Sequence, residues 1–338
     1  MSKQIINFSV YFLLVSTVLL GFNYIVDPLQ YYKRDDSPIF VKNSRFQIPG
    51  LVRNYPFDTI IVGTSHSQNF LTSTLDEYMD SKSINLSISG SSAWEQSQVV
   101  QQALSKEKTR RVVWEMNYKS FAGHNPNLLK NGAFPNYLYK PDFTTPFYYL
   151  YSLDTLWLSV KYIMGRGSRE LDGMSSWFNS HKDKFDGKHI VDHYCQLNVL
   201  NQDSDIPKYE KSLKKHLEPL LKQDPKVDYV LFIPPLSVAN FALNNQVERF
   251  MSFREALYRV AADNSNARIV DFVADLELIG DLKLYKDVEH YSLGVSNEML
   301  KVMGSADGKH KEPRGVKTLN HQFQVFVTSW KNRSRICD

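Results

Sequence analysis

The chain has 338 residues, of which 43% are hydrophobic and 13% aromatic, so it can bury a large core in one enlarged domain or in two. Its formal net charge is only +4 and its lysines and arginines are scattered, which argues against a nucleic-acid-binding protein. The two cysteines, Cys195 and Cys337, form neither a CxxC motif nor a Cys/His spacing, so we predict no metal site and leave open whether they pair.

The first 27 residues predict a membrane anchor. The stretch from Ile5 to Val26 carries no charge and is long enough to span a bilayer, whereas the apolar region of a signal peptide has ~7–15 residues. No small-x-small cleavage site precedes Asp27, which favours an uncleaved signal anchor over a signal peptide or a buried helix. Because Lys3 lies on the short side, the positive-inside rule predicts one pass through the inner (cytoplasmic) membrane, with the remaining chain on the periplasmic side.

Residues 28–57 predict an extended connector, because the stretch from Asp27 to Asn54 contains Asp27-Pro28, Ser37-Pro38 and Pro49-Gly50 and shows little periodicity. The remainder, 58–338, alternates short apolar runs with helical patterns. The five predicted strands are Asp58–Val62, Ser83–Ile88, Arg111–Met116, Asp228–Ile233 and Arg268–Phe272. Helical patterns between them predict an α/β fold with a five-stranded parallel, doubly wound sheet.

Residues 121–204 interrupt this alternation with a long aromatic-rich interval. So long an interval needs structure of its own, and we predict an insertion over the strand ends. Its aromatic side chains could stack on sugar rings or could form the core of the insertion, and the sequence leaves both possibilities open.

Candidate catalytic residues follow the predicted strands. Ser65 comes directly after the first strand, where open α/β sheets bind ligands, and it is our candidate nucleophile. Asp287 and His290 lie three residues apart before a helix, so the carboxylate can orient the imidazole as a general base. Gly90, through its backbone N–H, and Asn117, through its amide, follow the second and third strands and could stabilise an oxyanion.

Each of these residues also has an ordinary structural interpretation. Ser65 could be a helix N-cap, the Asp-x-x-His pair a surface cap, and Gly90 and Asn117 turn residues. We expect Glu115, in a buried strand, to form a salt bridge, and His66 to be a structural residue or part of the substrate rim. The catalytic hypothesis rests on the order of the four residue types at successive strand ends.

That order resembles the SGNH (GDSL-type) hydrolase superfamily. Gly63-Thr64-Ser65 resembles its nucleophile block, Asn85–Gly90 its glycine block, Glu115–Asn117 its asparagine block and Asp287–His290 its Asp-x-x-His block. The first block departs from Gly-Asp-Ser, and the third lacks Gly-x-Asn-Asp. The layout is closest to membrane-anchored polysaccharide O-acetyltransferase-like and DltD-like proteins.

The resemblance implies a three-layer α/β/α sandwich and a serine esterase or O-acyltransferase that acts on a cell-surface glycan without a cofactor, with acetyl as the expected acyl group. Ser65, His290 and Asp287 would form the catalytic triad, and the backbone of Ser65 and Gly90 with the Asn117 amide would form the oxyanion hole. Transfer would need an integral-membrane acyltransferase as partner.

Two other classes of function stay open from the sequence alone. One is a non-catalytic, membrane-tethered glycan-binding or assembly protein that keeps the same sheet. The other is a nucleotide- or phosphate-binding protein that uses Gly63-Thr64-Ser65 as an anion turn. The lack of a Walker-type lysine motif and of Gly-x-Gly-x-x-Gly counts against this last class.

Overall fold

Five short strands form one all-parallel sheet in the order β2-β1-β3-β4-β5. The strands are β1 (Thr59–Val62), β2 (Ser83–Asn85), β3 (Arg111–Glu115), β4 (Asp228–Ile233) and β5 (Ala267–Asp271). The structure is a computed structural model that describes residues 3–36, 39–41, 43–123, 134–165, 185, 187–200, 205–243, 245–305 and 315–333. The α/β class and the five parallel strands predicted from the sequence are therefore confirmed.

The strands are parallel because each is followed by helical crossover material and each carries an apolar run. Ile60 of β1 lies opposite Ile84 of β2 and Val112 of β3, and all four residues of β1 are buried. Such continuous burial is typical of parallel strands covered on both faces. The strand order reverses between β1 and β3, and the carboxyl ends of strands at such a switch point are where open sheets bind ligands.

The chain divides into two compact units, one comprising Met1–Pro56 with Lys130–Leu171 and the other Phe57–Leu129 with Asp172–Asp338. The first unit contains the helices α1 (Lys3–Val26), α2 (Ser44–Asn54), α5 (Asn136–Tyr139), α6 (Thr145–Leu150) and α7 (Leu153–Ile163). The second contains the sheet and α3 (Thr72–Met79), α4 (Ala93–Leu104), α8 (Lys188–Leu200), α9 (Tyr209–His216), α10 (Glu218–Gln223), α11 (Val238–Ala242), α12 (Gln246–Ala262), α13 (Leu276–Gly280), α14 (Leu293–Gly304) and α15 (Val316–Arg333).

Helix α1 is long and apolar enough to cross a membrane, with a mean hydropathy of 2.1 over its most apolar window and none of that window buried. Its carboxyl end is fixed by Asp27, a buried residue with φ of 48°. The Asp27 carboxylate accepts hydrogen bonds from the backbone N–H groups of Tyr31, Tyr32 and Lys33 and from the Tyr149 hydroxyl. The turn after the helix is therefore closed by one carboxylate.

The prediction of an extended connector over 28–57 is wrong for Ser44–Asn54, which form α2. Pro49 and Gly50 lie inside this helix rather than in a turn. A Cβ on Gly50 would lie 2.5 Å from the carbonyl oxygen of Gln30, so the glycine allows close approach of the preceding chain. That requirement depends on tertiary contact, which explains why the Pro-Gly pair suggested a turn.

The interval 121–204 contains helices and so has structure of its own, but its described parts fall in both units. Helices α5–α7 belong to the first unit and α8 to the second, while residues 124–133, 166–184, 186 and 201–204 lie outside the described residues. The predicted placement of this interval over the strand ends stays a prediction.

Candidate active site

The turn after β1 exposes one hydroxyl group to solvent. From Ile61 to Phe70 every residue is buried except Ser65, which is partly exposed. Gly63 begins the turn, and a Cβ at this position would lie 2.5 Å from the Glu115 side chain and would also collide with the Ser67 hydroxyl. Only glycine lets the chain turn this closely against β3, and the turn leaves Ser65 accessible.

Ser65, His290 and Asp287 form a continuous hydrogen-bonded relay. The Ser65 Oγ lies 2.9 Å from His290 Nε2, and His290 Nδ1 lies 2.8 Å from Asp287 Oδ2. An ionised carboxylate can only accept, so Nδ1 carries the hydrogen and Nε2 of the neutral ring accepts from the Ser65 hydroxyl. The structure thus brings Ser65 into contact with His290, which lies 225 positions farther along the chain, and His290 into contact with Asp287.

The Asp287 carboxylate is held in its ionised form. Its Oδ1 accepts from the backbone N–H groups of Glu289, at 2.8 Å, and of His290, at 2.9 Å. Burial pushes the pKa of Asp287 up, but the hydrogen bond and the charge interaction with His290 outweigh burial and hold the pKa well below its usual range. The carboxylate can therefore orient His290 across the neutral pH range.

Two buried tyrosines fix the loop that carries Asp287 and His290. Tyr285 and Tyr291 form an antiparallel bridge at the two ends of the loop, and both are fully buried. The Tyr285 hydroxyl donates to the carbonyl oxygen of Pro235 at 2.8 Å, and the backbone N–H of Lys286 donates to the His290 carbonyl oxygen at 2.8 Å. The loop is thereby held by backbone pairing and by anchored side chains.

The buried side chain of Glu115 stabilises the turn that carries Ser65. Glu115, with no exposed surface, accepts from the Thr64 N–H at 2.8 Å, the Thr64 hydroxyl at 2.6 Å and the Ser67 hydroxyl at 2.8 Å. The fourth partner is His66, whose Nδ1 lies 3.1 Å from Glu115 Oε1. The salt bridge expected for Glu115 is present, and it supports the loop that carries Ser65.

Glu115 and His66 shift one another's protonation. Burial raises the pKa of Glu115, but His66 and the hydrogen bonds from Thr64 outweigh it and lower the pKa to about 2. Burial lowers the pKa of His66, but the Glu115 carboxylate outweighs it and raises the pKa above its ordinary value of 6.5. Each group therefore favours the charged form of the other.

His66 also lies directly against His290. Their ring centroids are 4.9 Å apart with planes inclined by 24°, and His66 is only 3% exposed. This burial excludes a place on the substrate rim and leaves the structural role. The residue follows Ser65 in the sequence, but no sequence pattern indicated that its ring packs against His290.

Gly90 and Asn117 lie near the same edge of the sheet. The Ile88 N–H and the Ser91 hydroxyl both donate to the Gly63 carbonyl oxygen, each at 2.9 Å, so the turn containing Gly90 is tied to the serine turn. Gly90 has φ of +62°, and its α-carbon faces open space. The Asn117 amide nitrogen lies 3.3 Å from Glu115 Oε1, so one of its two hydrogens faces the buried acid.

A lysine near the site was missed by sequence reasoning. Lys119 Nζ donates to Glu289 Oε1 at 2.5 Å and to the Asn240 side-chain oxygen at 2.8 Å. Lys119 follows β3, Asn240 belongs to α11 and Glu289 belongs to the Asp287–His290 loop. The lysine therefore connects these three segments. The only signal in the sequence was that Lys119 and Glu289 are near Asn117 and His290.

No family model matches the chain, and no curated protein sequence matches it. A serine hydroxyl bonded to a histidine that is oriented by an ionised carboxylate is an arrangement that generates an oxygen nucleophile at neutral pH.

Proposed function

We propose that the protein is an extracytoplasmic serine esterase or O-acyltransferase, with O-acetyl as the acyl group, acting on a cell-surface glycan. The observation that carries the proposal is the hydrogen-bonded relay from Asp287 through His290 to Ser65, at the carboxyl ends of parallel strands. The strand order and the sequence of Ser, Gly, Asn and Asp-x-x-His residues at the strand ends support an SGNH-like α/β/α sandwich.

In this reaction Ser65 Oγ attacks the carbonyl carbon of an acyl ester while His290 Nε2 takes the hydroxyl proton. Asp287 stabilises the imidazolium that forms. Collapse of the tetrahedral intermediate breaks the ester bond, and the leaving alkoxide takes the proton from His290. Water or an acceptor hydroxyl then attacks the acyl-serine with His290 again as base, which releases a carboxylic acid or a new ester and restores Ser65.

The negative charge on the intermediate needs hydrogen-bond donors in place before the reaction. We assign this role to the backbone N–H groups of Ser65 and Gly90 and to the Asn117 amide. The Asn117 nitrogen carries two hydrogens, so donation to Glu115 leaves a second hydrogen for an oxyanion. The link between the Gly90 turn and Gly63 supports this assignment.

The proposed location follows from α1. A single membrane pass with Lys3 on the cytoplasmic side would place the remaining chain outside the cytoplasm, in contact with cell-surface glycans. Cys195 is disulfide-bonded, which supports an oxidising compartment. Acyl transfer, as opposed to hydrolysis, would require an acyl donor delivered by an integral-membrane acyltransferase.

The second candidate is a non-catalytic, membrane-tethered glycan-binding or assembly protein. It is favoured by one observation, the direction of the Asn117 amide nitrogen toward the Glu115 carboxylate, 3.3 Å from Oε1. If both amide hydrogens serve the buried network, the oxyanion site has only backbone donors.

A fluorophosphonate probe separates the two candidates, because it reacts with an activated serine and not with an ordinary hydroxyl. We expect the full chain in detergent to be labelled at Ser65, and labelling to be lost in Ser65→Ala and in His290→Ala. Ser105→Ala, at the exposed carboxyl end of α4, is the matched control and should label like the wild type. A wild-type protein that neither labels nor cleaves an aryl acetate would rule out the enzyme.

An assay with and without an acceptor distinguishes ester hydrolysis from acyl transfer. Acetyl release from an acetylated oligosaccharide would be measured with and without an unacetylated acceptor. New ester on the acceptor indicates transfer, whereas free acetate alone indicates an esterase.

A further inference from the structure

The helices α6 and α7 pack along the carboxyl-terminal part of α1. The Asn23 side chain of α1 is fully buried, and its amide donates to the Leu150 carbonyl oxygen at 2.8 Å. The Ser159 hydroxyl of α7 donates to the Asn23 side-chain oxygen at 2.9 Å. Farther toward the amino end, the Ser16 and Tyr151 hydroxyls share a hydrogen bond of 3.1 Å. The contact therefore extends over two turns of α1.

The length of α1 indicates at what depth in a bilayer α6 and α7 would lie. From Lys3 to Val18 every residue is exposed except Ser9 and Ser16, which are half-buried, whereas burial increases from Leu19 to Asn23. The uncharged stretch from Ile5 to Val18 spans roughly 21 Å at about 1.5 Å per residue. A hydrocarbon core is about 30 Å thick, so spanning it requires about six further residues. Those residues are the ones against which α6 and α7 pack.

The outward surface of the same segment is apolar and aromatic. Seven large apolar side chains between 143 and 164 are more than half exposed, from 55% for Met164 to 87% for Phe143. They are Phe143, Phe147, Tyr148, Leu153, Trp157, Ile163 and Met164. Among the described residues of the sheet-containing unit, the exposed large hydrophobics are only Tyr78, Ile206, Val302 and Val325, which are widely separated along the chain. The exposed apolar surface is thus concentrated beside the membrane helix.

The pattern on α7 is that of a helix lying in a membrane surface. Leu153, Trp157, Val160 and Met164 follow one another at spacings of four, three and four, and so share one face. Lys161 flanks this face with its ammonium 5.0 Å from the Trp157 ring centroid. Tryptophan and tyrosine prefer the boundary between lipid tails and headgroups, and lysine can extend its ammonium to water there.

We propose that the segment from Phe143 to Met164 is a membrane-interface element that inserts its apolar face into the outer surface of the bilayer crossed by α1. The occupant of the face is phospholipid. The inference rests on the membrane-spanning part of the proposed function and is independent of the catalytic part. The element would shield the polar Asn23 and Ser16 contacts from lipid and would give the anchor a second, laterally placed attachment.

Quenching of tryptophan fluorescence by brominated lipid tests this placement. The full chain would be reconstituted in phosphatidylcholine–phosphatidylglycerol vesicles whose bromines lie either near the headgroups or near the bilayer centre. The difference between wild type and Trp157→Phe isolates the Trp157 signal. Two further tryptophans are added separately in the Trp157→Phe background: Phe12→Trp marks the middle of α1, and Val325→Trp marks an apolar site on α15 that is 55% exposed, against 57% for Trp157.

We expect the shallow bromines to remove most of the Trp157 signal and the deep bromines to act chiefly on Phe12→Trp. Trp157 should lose more signal than the tryptophan at 325. If Phe12→Trp is quenched and Trp157 loses no more than the 325 tryptophan, the interface element is disproved and another protein covers the face. If neither Phe12→Trp nor Trp157 is quenched, the membrane placement of α1 itself fails and the inference fails with it. Fluorophosphonate labelling reports the catalytic proposal separately.

Discussion

The imidazole of His66 supports the imidazole of His290 by direct ring contact, at a centroid distance of 4.9 Å. His66 is in turn held by Glu115, and its ring also stacks with Tyr291, at a centroid distance of 6.0 Å. The base of the proposed triad is therefore positioned from two sides, by Asp287 through a hydrogen bond and by His66 through packing.

This packing predicts different effects for two substitutions of His66. His66→Ala removes the supporting ring, so His290 can tilt away from Ser65, and we expect fluorophosphonate labelling to slow by about 10- to 100-fold. His66→Phe keeps a flat ring at this position and should label within a few-fold of wild type, once folded protein is normalised by circular dichroism. Equal loss in both variants would show that the ring itself is not the support.

The contact between His66 and Glu115 predicts that substitutions at these two residues have coupled effects on the free energy of unfolding. His66→Phe leaves the Glu115 carboxylate buried without a cation, which should cost about 3–5 kcal/mol of unfolding free energy. Adding Glu115→Gln removes the stranded charge, so the double variant should be more stable than His66→Phe alone. Chemical denaturation of the four proteins measures the coupling, and additive effects would contradict the ion pair.

How far the sequence predicted the site depends on which contacts are local. Ser65, Asp287 and His290 could be found because each occupies a recognisable place, after an apolar strand or in a three-residue spacing before a helix. The parallel sheet then requires the first strand end to face the later loop, and the hydrogen bonds agree with that expectation.

The contacts that sequence reasoning missed depend on tertiary packing. Nothing beside His66 in the chain indicates that it stacks on His290, and nothing beside Lys119 indicates that it reaches Glu289. Likewise, α2 contains Pro49-Gly50, a pair that usually ends a helix, because the backbone at Gln30 packs against Gly50. Local propensity was overruled where two distant segments meet.

The same ion pair predicts a plateau in the pH dependence of stability. The pKa of Glu115 falls from 4.5 to about 2 on folding, so its contribution is present above pH 4.5 and is lost as pH falls toward 2. The pKa of His66 rises on folding, so its contribution is complete below 6.5 and is lost as pH rises through the higher folded value. The stability advantage of wild type over the double variant should be largest between about pH 4.5 and 6.5. Denaturant midpoints across this range test it, and a pH-independent difference would contradict it.

Alanine substitutions at two glycines near the site should cost different amounts of stability. Gly63→Ala places a methyl group against Glu115 and Ser67, so we expect a loss of about 1–3 kcal/mol of stability and of fluorophosphonate labelling. At Gly90 a methyl group would meet open space, so Gly90→Ala carries only the strain of φ +62°, about 1 kcal/mol, and keeps its N–H. Thermal unfolding and labelling of the two purified variants make the comparison, and a larger defect in Gly90→Ala would contradict the packing role of Gly63.

The oxyanion role of Asn117 can be separated from its place in the buried network. In Asn117→Ala, Glu115 still accepts from Thr64, Ser67 and His66, so the variant should fold with little loss of stability. If the second amide hydrogen stabilises the intermediate, kcat for an aryl acetate should fall by about 10²- to 10³-fold with KM nearly unchanged, because the donor acts mainly on the transition state. Glu277→Gln, an exposed change on α13, is the control for purification and assay. An unchanged kcat in Asn117→Ala would confine the oxyanion donors to the backbone and leave Asn117 with the packing of Glu115 alone.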